Sequence, residues 1–398
     1  MAHTDQRKRT DLGVYVHVPF AHTKCTYCDS PSGVFPEGID EIYVDALCEE
    51  IRSHARFYRE ANLTLWQKEP PGFAIETAYI GGGIPSLLGT ADLARVVEAL
   101  RATFPGPLSE ISLEADPETA TEKNARAWRG LGVNRISLAV QSFSDVELTA
   151  IGRSYRRDDI FRSLDCLQAA GFKNYNLELV VGLPHQTEKT WQASLAEALH
   201  LEPPHISIYM LDDDKTNPLM DAVPTRAVCV DRAALPCDEA IASFYEFART
   251  QLSRWAYEHY EISNWARPGF RSRHNVKYWR REPYLGFGAG ASSFDGAERW
   301  TKSDDPVVYV ASVLDGRLPI RQRELIRPQQ ALAEELFLGL RQLDGIDLHK
   351  IERRYKVNLC HRVEPLAEEG LVELRDGRLR LAPAHLAVSN EVFARLIE

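Results

Sequence analysis

HVPFAHTKCTYC, residues 17–28, completes an apolar, strand-like run that begins at Gly13. It carries two cysteines, Cys25 and Cys28, at C-x-x-C spacing. The turn between such cysteines folds back, so both thiolates can face one ion or cluster. A metal or cluster site here wants at least one more soft ligand. Four residues upstream of Cys25, where that ligand would stand, the chain has Ala21. Taken alone, the pair admits a redox couple, half of a zinc site, or two ordinary thiols. Zinc is weakened because there is no second C-x-x-C, and Cys229 and Cys237 lie too far apart to imitate one. The redox couple is weakened because the pair leads into a loop, SPSGVFPEG (30–38), and not directly into a helix.

Working outward, the first two thirds of the chain alternate. Strand-like runs are GVYVHV (13–18), ETAYIG (76–81), EISLEA (110–115), NRISLAV (134–140), NYNLELVV (174–181) and HISIYML (205–211). They are short, rich in β-branched or aromatic residues, and followed by turn residues. Between them, residues 40–55, 90–104, 159–171 and 188–201 carry apolar residues at helical spacing. Thr90 and Thr187 read as helix starts and Gly171 as a helix stop. Such alternation implies right-handed βαβ units and a parallel sheet. Six units favour a full or partial barrel of the (β/α)6, TIM-like kind, with ligands at the C-terminal ends of the strands.

Residues 212–237 read as an irregular loop or lid, followed by a long helix at 238–256. The chain from about 325 differs in kind: two helical stretches precede GLVELRDGRLRLAP, a hairpin with an Asp-Gly turn. The expected division is a barrel at 1–240, an extension at 241–320 and a small winged-helix-like domain at 321–398. A length of 398 residues suits a large domain plus a smaller one. The net charge of −10 argues against a nucleic-acid partner. The polar start lacks a signal-peptide core, and no apolar run is long enough for a membrane span. Seven scattered cysteines fit a reducing cytoplasm better than a disulfide framework.

The strand ends collect polar chemistry. The second ends in Gly81-Gly82-Gly83, which lets backbone groups approach a ligand closely. The third ends with Glu114 and Asp116, and the fourth carries Arg135 and Ser137 and ends at Gln141. Arg153 follows, and Glu178 lies on the fifth. Any one of these is ordinary. Together they suit a zwitterionic amino-acid head and a ribose: acid for ammonium, arginine for carboxylate, acid or amide for hydroxyls.

In this order, the C-x-x-C loop, GGG-x-PS, LEADP, R-x-S-x-x-VQSF, GR and GLP resemble a radical S-adenosylmethionine enzyme. The chain is similar to the oxygen-independent coproporphyrinogen III oxidase branch, and H-N-x-x-Y-W at 274–279 points to its HemW haem-chaperone relatives. The resemblance implies a partial (β/α)6 barrel with a C-terminal helical domain. It implies a [4Fe–4S] cluster held by three cysteines, with S-adenosylmethionine on the fourth iron. Reduction of the cluster then yields a 5′-deoxyadenosyl radical, the chemistry belonging to the cofactors. Carried over by motif, Cys25 and Cys28 match cluster ligands and Tyr27 the aromatic between them. Gly81, Gly82 and Gly83 match the run near the methionyl amine. Glu114, Gln141, Arg153 and Glu178 match positions lining the cofactor, and His274 is the candidate haem ligand. Without the family, His274 reads equally well as a structural histidine.

The chain departs from the pattern where it matters. The first cluster cysteine is Ala21, and a methyl group cannot ligate iron. The readings are a relative without the cluster, substitution by His22, and a weakly held cluster. Ser30, Ala139, Tyr155 and Glu178 stand where the family usually has an aromatic, glycine, histidine and aspartate. The expected function is a HemW-like protein tied to haem or porphyrin, its radical chemistry impaired. The alternatives are haem delivery without radical catalysis and a radical methyltransferase-like enzyme. The sequence names neither substrate nor electron donor.

Overall fold

The structure, a computed structural model, describes residues 11–22, 31–36, 38–64, 74–211 and 234–397. Six strands, β1 (Asp11–Val18), β2 (Ala74–Gly82), β3 (Glu110–Ala115), β4 (Arg135–Gln141), β5 (Tyr175–Val181) and β6 (His205–Met210), lie side by side in chain order. Every neighbouring pair is parallel. The crossovers carry α1 (Ile39–Glu60), α2 (Thr90–Thr103), α3 (Glu122–Gly130), α4 (Asp145–Ala150), α5 (Arg157–Ala169) and α6 (Glu188–His200). α7 (Asp238–Arg254) follows β6.

The alternation along the strands decides which face meets the helices. Val14, Val16, Ile80, Leu113, Leu138, Leu177 and Ile208 join one core with Leu47, Ile51, Val97, Leu164 and Leu195 of the helices. Burying each such side chain is worth about 2 kcal/mol. The intervening positions point the other way, into the lumen.

Beyond β6 the sheet gains β7 (Glu258–Glu261) and β8 (Asn264–Ala266), with α8 (Arg273–Trp279) following. On the other side β9 (Tyr284–Phe287) pairs parallel to β1, and β10 (Ser292–Phe294), β11 (Glu298–Lys302) and β12 (Ile320–Leu325) continue antiparallel. α9 (Pro306–Leu314) precedes β12. The 12-stranded order ends in β12 and β7, which do not pair with each other, so the barrel is partial. The C-terminal part holds α10 (Pro328–Arg341), β13 (Ile346–Asp347), α11 (Leu348–Tyr355), α12 (Cys360–Glu368), β14 (Val372–Arg375), β15 (Arg378–Leu381) and α13 (Ser389–Ile397). Its three strands run in the order β13-β15-β14.

The β14–β15 hairpin turns on Asp376 (φ 53°) and Gly377 (φ 73°), the paired left-handed residues of a type I′ turn. Thr187 caps α6 by accepting from the Thr190 N–H, and Gly171 (φ 84°) follows the end of α5, both as expected. Thr90 does not cap α2. It is the first helical residue, and Gly89 before it offers no side-chain cap. α1 runs on to Glu60, past the expected stop at 55, and α3 and α4 were not anticipated. Most of the expected 212–237 loop lies outside the described residues.

Candidate active site

The lumen is polar nearly throughout. Along β3 the inward residues are Glu110, Ser112 and Glu114, along β4 Arg135 and Ser137, along β5 Asn176 and Glu178, and along β6 His205 and Ser207. Near the strand ends two carboxylates face each other. Tyr79 OH donates to Glu114 Oε1 at 2.9 Å, and the Gly82 N–H donates to Oε2 at 3.0 Å. Ser137 Oγ donates to Glu178 Oε1 at 2.6 Å. Burial, reinforced by the charge of Glu178, pushes the Glu114 carboxyl up to about 8. Burial raises Glu178 as well, against the pull of Ser137, Arg135 and Arg153. Both carboxyls therefore favour a cationic neighbour.

Above this layer Arg153 pairs with Asp116 at 3.4 Å. Burial raises Asp116, with Arg153 and His22 acting in the other direction. Gln141 ends β4 in the left-handed region (φ 62°), where the β4–β5 register slips between Ala139 and Gln141. Tyr155 OH donates to the Ala139 carbonyl at 2.5 Å. Ala139 and Tyr155 are thus in direct contact at this bulge.

The glycine run packs against the protein itself. The Gly83 N–H donates to Val18 O at 2.8 Å and the Ile84 N–H to Phe20 O at 2.7 Å. A Cβ on Gly83 would sit 2.4 Å from Phe20 O, and one on Gly82 (φ 124°) 2.7 Å from Val18 O. A side chain at either position would push away the start of the 19–31 loop. That loop is tied at its neck. The Ala21 N–H donates to Gly33 O and the Gly33 N–H to Pro19 O, both at 2.9 Å. His17 Nε2 meets Pro31 O at 3.1 Å, and burial lowers its ring to about 4, so it is neutral above that value.

The opposite end of the lumen is sealed by α8. His274 is 1% exposed. Its Nδ1 pairs with Thr77 Oγ1 and its Nε2 with Tyr278 OH, each at 2.9 Å. Its ring stacks on Tyr79 with centroids 5.4 Å apart. Its backbone N–H donates to Glu110 Oε1 at 3.0 Å. Burial, with Lys277 and Arg135 nearby, holds the ring neutral down to about 3.

This geometry has close relatives. The Radical SAM superfamily matches residues 15–198 and the HemN C-terminal domain residues 326–385. The heme chaperone HemW of a Synechocystis strain is 35% identical over 342 residues, covering 83% of this chain and 78% of that protein. The chain belongs to the HemW family of the radical SAM superfamily. The Bacillus subtilis heme chaperone HemW is 30% identical over 390 residues, covering 96% of this chain and 98% of that one. The coproporphyrinogen III oxidase HemN of Escherichia coli, a solved radical SAM enzyme, superposes with a TM-score of 0.81 at 22% identity, covering 98% of this chain and 90% of that chain.

Within this HemW-family barrel, the strand ends bring together Gly81, Gly82, Gly83, Glu114, Gln141, Arg153 and Glu178. The acidic pair fits the cationic and hydroxyl groups of S-adenosylmethionine. His274 lies at the other end of the lumen. Cys25, Cys28 and Tyr27 lie outside the described residues. Position 21 does not fit a three-thiolate cluster, because its well-anchored backbone carries only a methyl group. Among the described residues no group of three or more His, Cys, Asp or Glu could hold a metal ion. Tyr79, Asn176, His205 and Ser207 were not foreseen as lumen residues. The signal for Asn176, His205 and Ser207 is alternation: YNLEL and HIS place polar residues at every second position, as EISLE and RIS do on β3 and β4.

Proposed function

We propose that this HemW-family protein binds S-adenosylmethionine at the strand ends and serves haem or porphyrin handling without an efficient cluster-driven radical step. The observation that carries it is Ala21, a missing ligand on a loop neck that is otherwise fully tied. Glu114 and Glu178 would take the ammonium and ribose hydroxyls, and Arg153 with Asp116 would border the amino-acid head. The [4Fe–4S] cluster, where the family holds one, supplies the electron that cleaves the sulfonium. The haem link rests on the relatives named heme chaperones. The free thiols Cys48, Cys166, Cys237 and Cys360 agree with a reducing cytoplasm. Among the described residues no helix is long and apolar enough to cross a membrane.

Anaerobic reconstitution with iron and sulfide, followed by iron counting, tests the cluster part. Iron well below one cluster per chain is expected, alongside calorimetric binding of S-adenosylmethionine. A stable stoichiometric cluster, with 5′-deoxyadenosine formed on reduction, would sink the reading. Haem titration of the protein and of His274→Ala tests the second part. Ligation through His274 Nε2 requires breaking its bond to Tyr278, so equal haem affinity is expected. A selective loss in the variant makes His274 the ligand.

A further inference from the structure

Among the described residues, three polar atoms in one layer of the lumen lack partners. Arg135 opens β4, and its cross-strand neighbour on β3 is Ser112. The two are 1% and 0% exposed. Arg135 Nε and Ser112 Oγ are buried with no hydrogen-bond partner among the described residues. On the other side, Asn174 precedes β5 by one residue and shares the inward phase of Asn176 and Glu178. Its Oδ1 is likewise buried and unpartnered. Higher on β5, Glu178 takes its hydrogen bond from Ser137. Glu110, lower on β3, is engaged by the backbone N–H groups of Arg273 and His274. The histidines that feel Arg135, His205 and His274, are both held neutral by burial.

Arg135 attracts Glu178 electrostatically but makes no ion pair among the described residues, and a buried guanidinium without a direct ion-pair partner is costly. Buried polar atoms are normally satisfied, so an unsatisfied cluster calls for an occupant. Water would satisfy the hydrogen bonds but not the charge. A carboxylate satisfies both: it is planar, carries one negative charge and matches the fork of an arginine. Ser112 Oγ can donate to it, and half a turn of the Asn174 amide presents Nδ2 donors. Ser112 lies two residues before Glu114, and Arg135 two before Ser137, so this layer sits one step, about 7 Å, below the acidic pair.

We propose that Arg135, Ser112 and Asn174 form a carboxylate-binding subsite deep in the lumen. Its occupant is a small organic acid or the acid arm of a larger lumen ligand. The subsite stands whether or not S-adenosylmethionine binds above it.

Acetate at constant ionic strength is the probe, read by thermal unfolding. A saturable rise in Tm of about 4 °C is expected at 100-fold excess over Kd. The rise should vanish in Arg135→Met and shrink in Ser112→Ala. Equal rises in all three proteins overturn the proposal. Should Arg135→Met not fold, crystals of the parent protein soaked in acetate, and separately in bromide, decide the matter. Acetate density or a bromide anomalous peak at Arg135 supports the subsite, and ordered water alone overturns it. Saturating S-adenosylmethionine should leave the acetate shift unchanged. Competition between the two would assign the carboxylate to the cofactor and overturn a separate subsite. A free acid and the acid arm of a porphyrin are told apart by a haem arm: loss of the acetate shift in the presence of haem assigns the arm, and an unchanged shift assigns the free acid.

Discussion

The two ends of the lumen use similar residues to opposite effect. At the strand ends, burial pushes Glu114 and Glu178 toward neutrality, and the charge of Glu178 pushes Glu114 further. They hold charge poorly until something positive arrives. At the His274 end every polar group named has its partner: Thr77, Tyr278 and Glu110 account for both ring nitrogens and the backbone N–H. Unmet electrostatic demand marks a place prepared for a ligand, and complete satisfaction marks a place prepared for the fold. Substitutions at the first should therefore move binding, and substitutions at the second should move stability.

The largest effect expected is at the neck of the cysteine loop. Ala21→Cys places a thiol on a backbone already fixed by the Gly33 and Pro19 hydrogen bonds. Iron after anaerobic reconstitution should rise to about four per chain, the content of one cubane cluster. S-adenosylmethionine cleavage should appear with it. If iron stays unchanged, the loss of ligation lies elsewhere in the loop, and the strand-end face has diverged further than Ala21 alone implies.

Next comes His274→Ala. The change leaves a cavity beside Tyr79 and strips the partners from two buried hydroxyls. A loss of about 3 kcal/mol in denaturant unfolding is expected. Affinity for S-adenosylmethionine should be unchanged in the fraction that folds. A stable variant with altered S-adenosylmethionine binding would erase the contrast between the two ends.

At the strand ends the reporter is pH. In the ligand-free protein Glu114 is largely protonated below about 8. A cationic ligand prefers the carboxylate, so affinity for S-adenosylmethionine should climb with pH by up to about tenfold per unit and level off above that value. The stability sign is the reverse. A carboxyl whose folded value is raised contributes stability at low pH, and that contribution is lost as pH rises from the unfolded range toward about 8. Glu114→Gln should flatten both slopes, although Glu178, Asp116 and Tyr79 face the same space and leave a residual dependence. An unchanged binding profile in the variant would take Glu114 out of the site.

Much of this was legible in the sequence, for reasons that differ by region. The six strands were visible because β-branched runs end in turn residues, and EISLEA was read with the bounds it has in the structure. The strand-end residues were visible because their motifs are local. What escaped was set by distance along the chain. Thr77 and His274 are 197 residues apart, and no local pattern announces that one seals the other. The glycines were read as clearing space for a ligand, whereas Gly82 and Gly83 make room for the backbone at Val18 and Phe20. α3 and α4 were missed because they are short, and a few turns carry too little periodicity to stand out. The polar lumen was written in the alternation of four strands, but that pattern acquires meaning only once the sheet is known to curl.

The smallest effect expected is the most discriminating for the His274 end. Tyr278→Phe removes one hydroxyl and leaves the ring in place. The Nε2 of His274 then loses its partner at 2.9 Å, while Nδ1 keeps Thr77. A cost of about 1 kcal/mol is expected, and Thr77→Val should cost a similar amount. The two substitutions act on one imidazole, so they should not add. With either hydroxyl gone, the remaining one can no longer fix the tautomer alone, and the double variant should deviate from the sum of the singles by at least about 0.5 kcal/mol. Strict additivity would mean that each hydroxyl meets His274 independently, and that the ring is held by its stacking on Tyr79 and not by its hydrogen bonds.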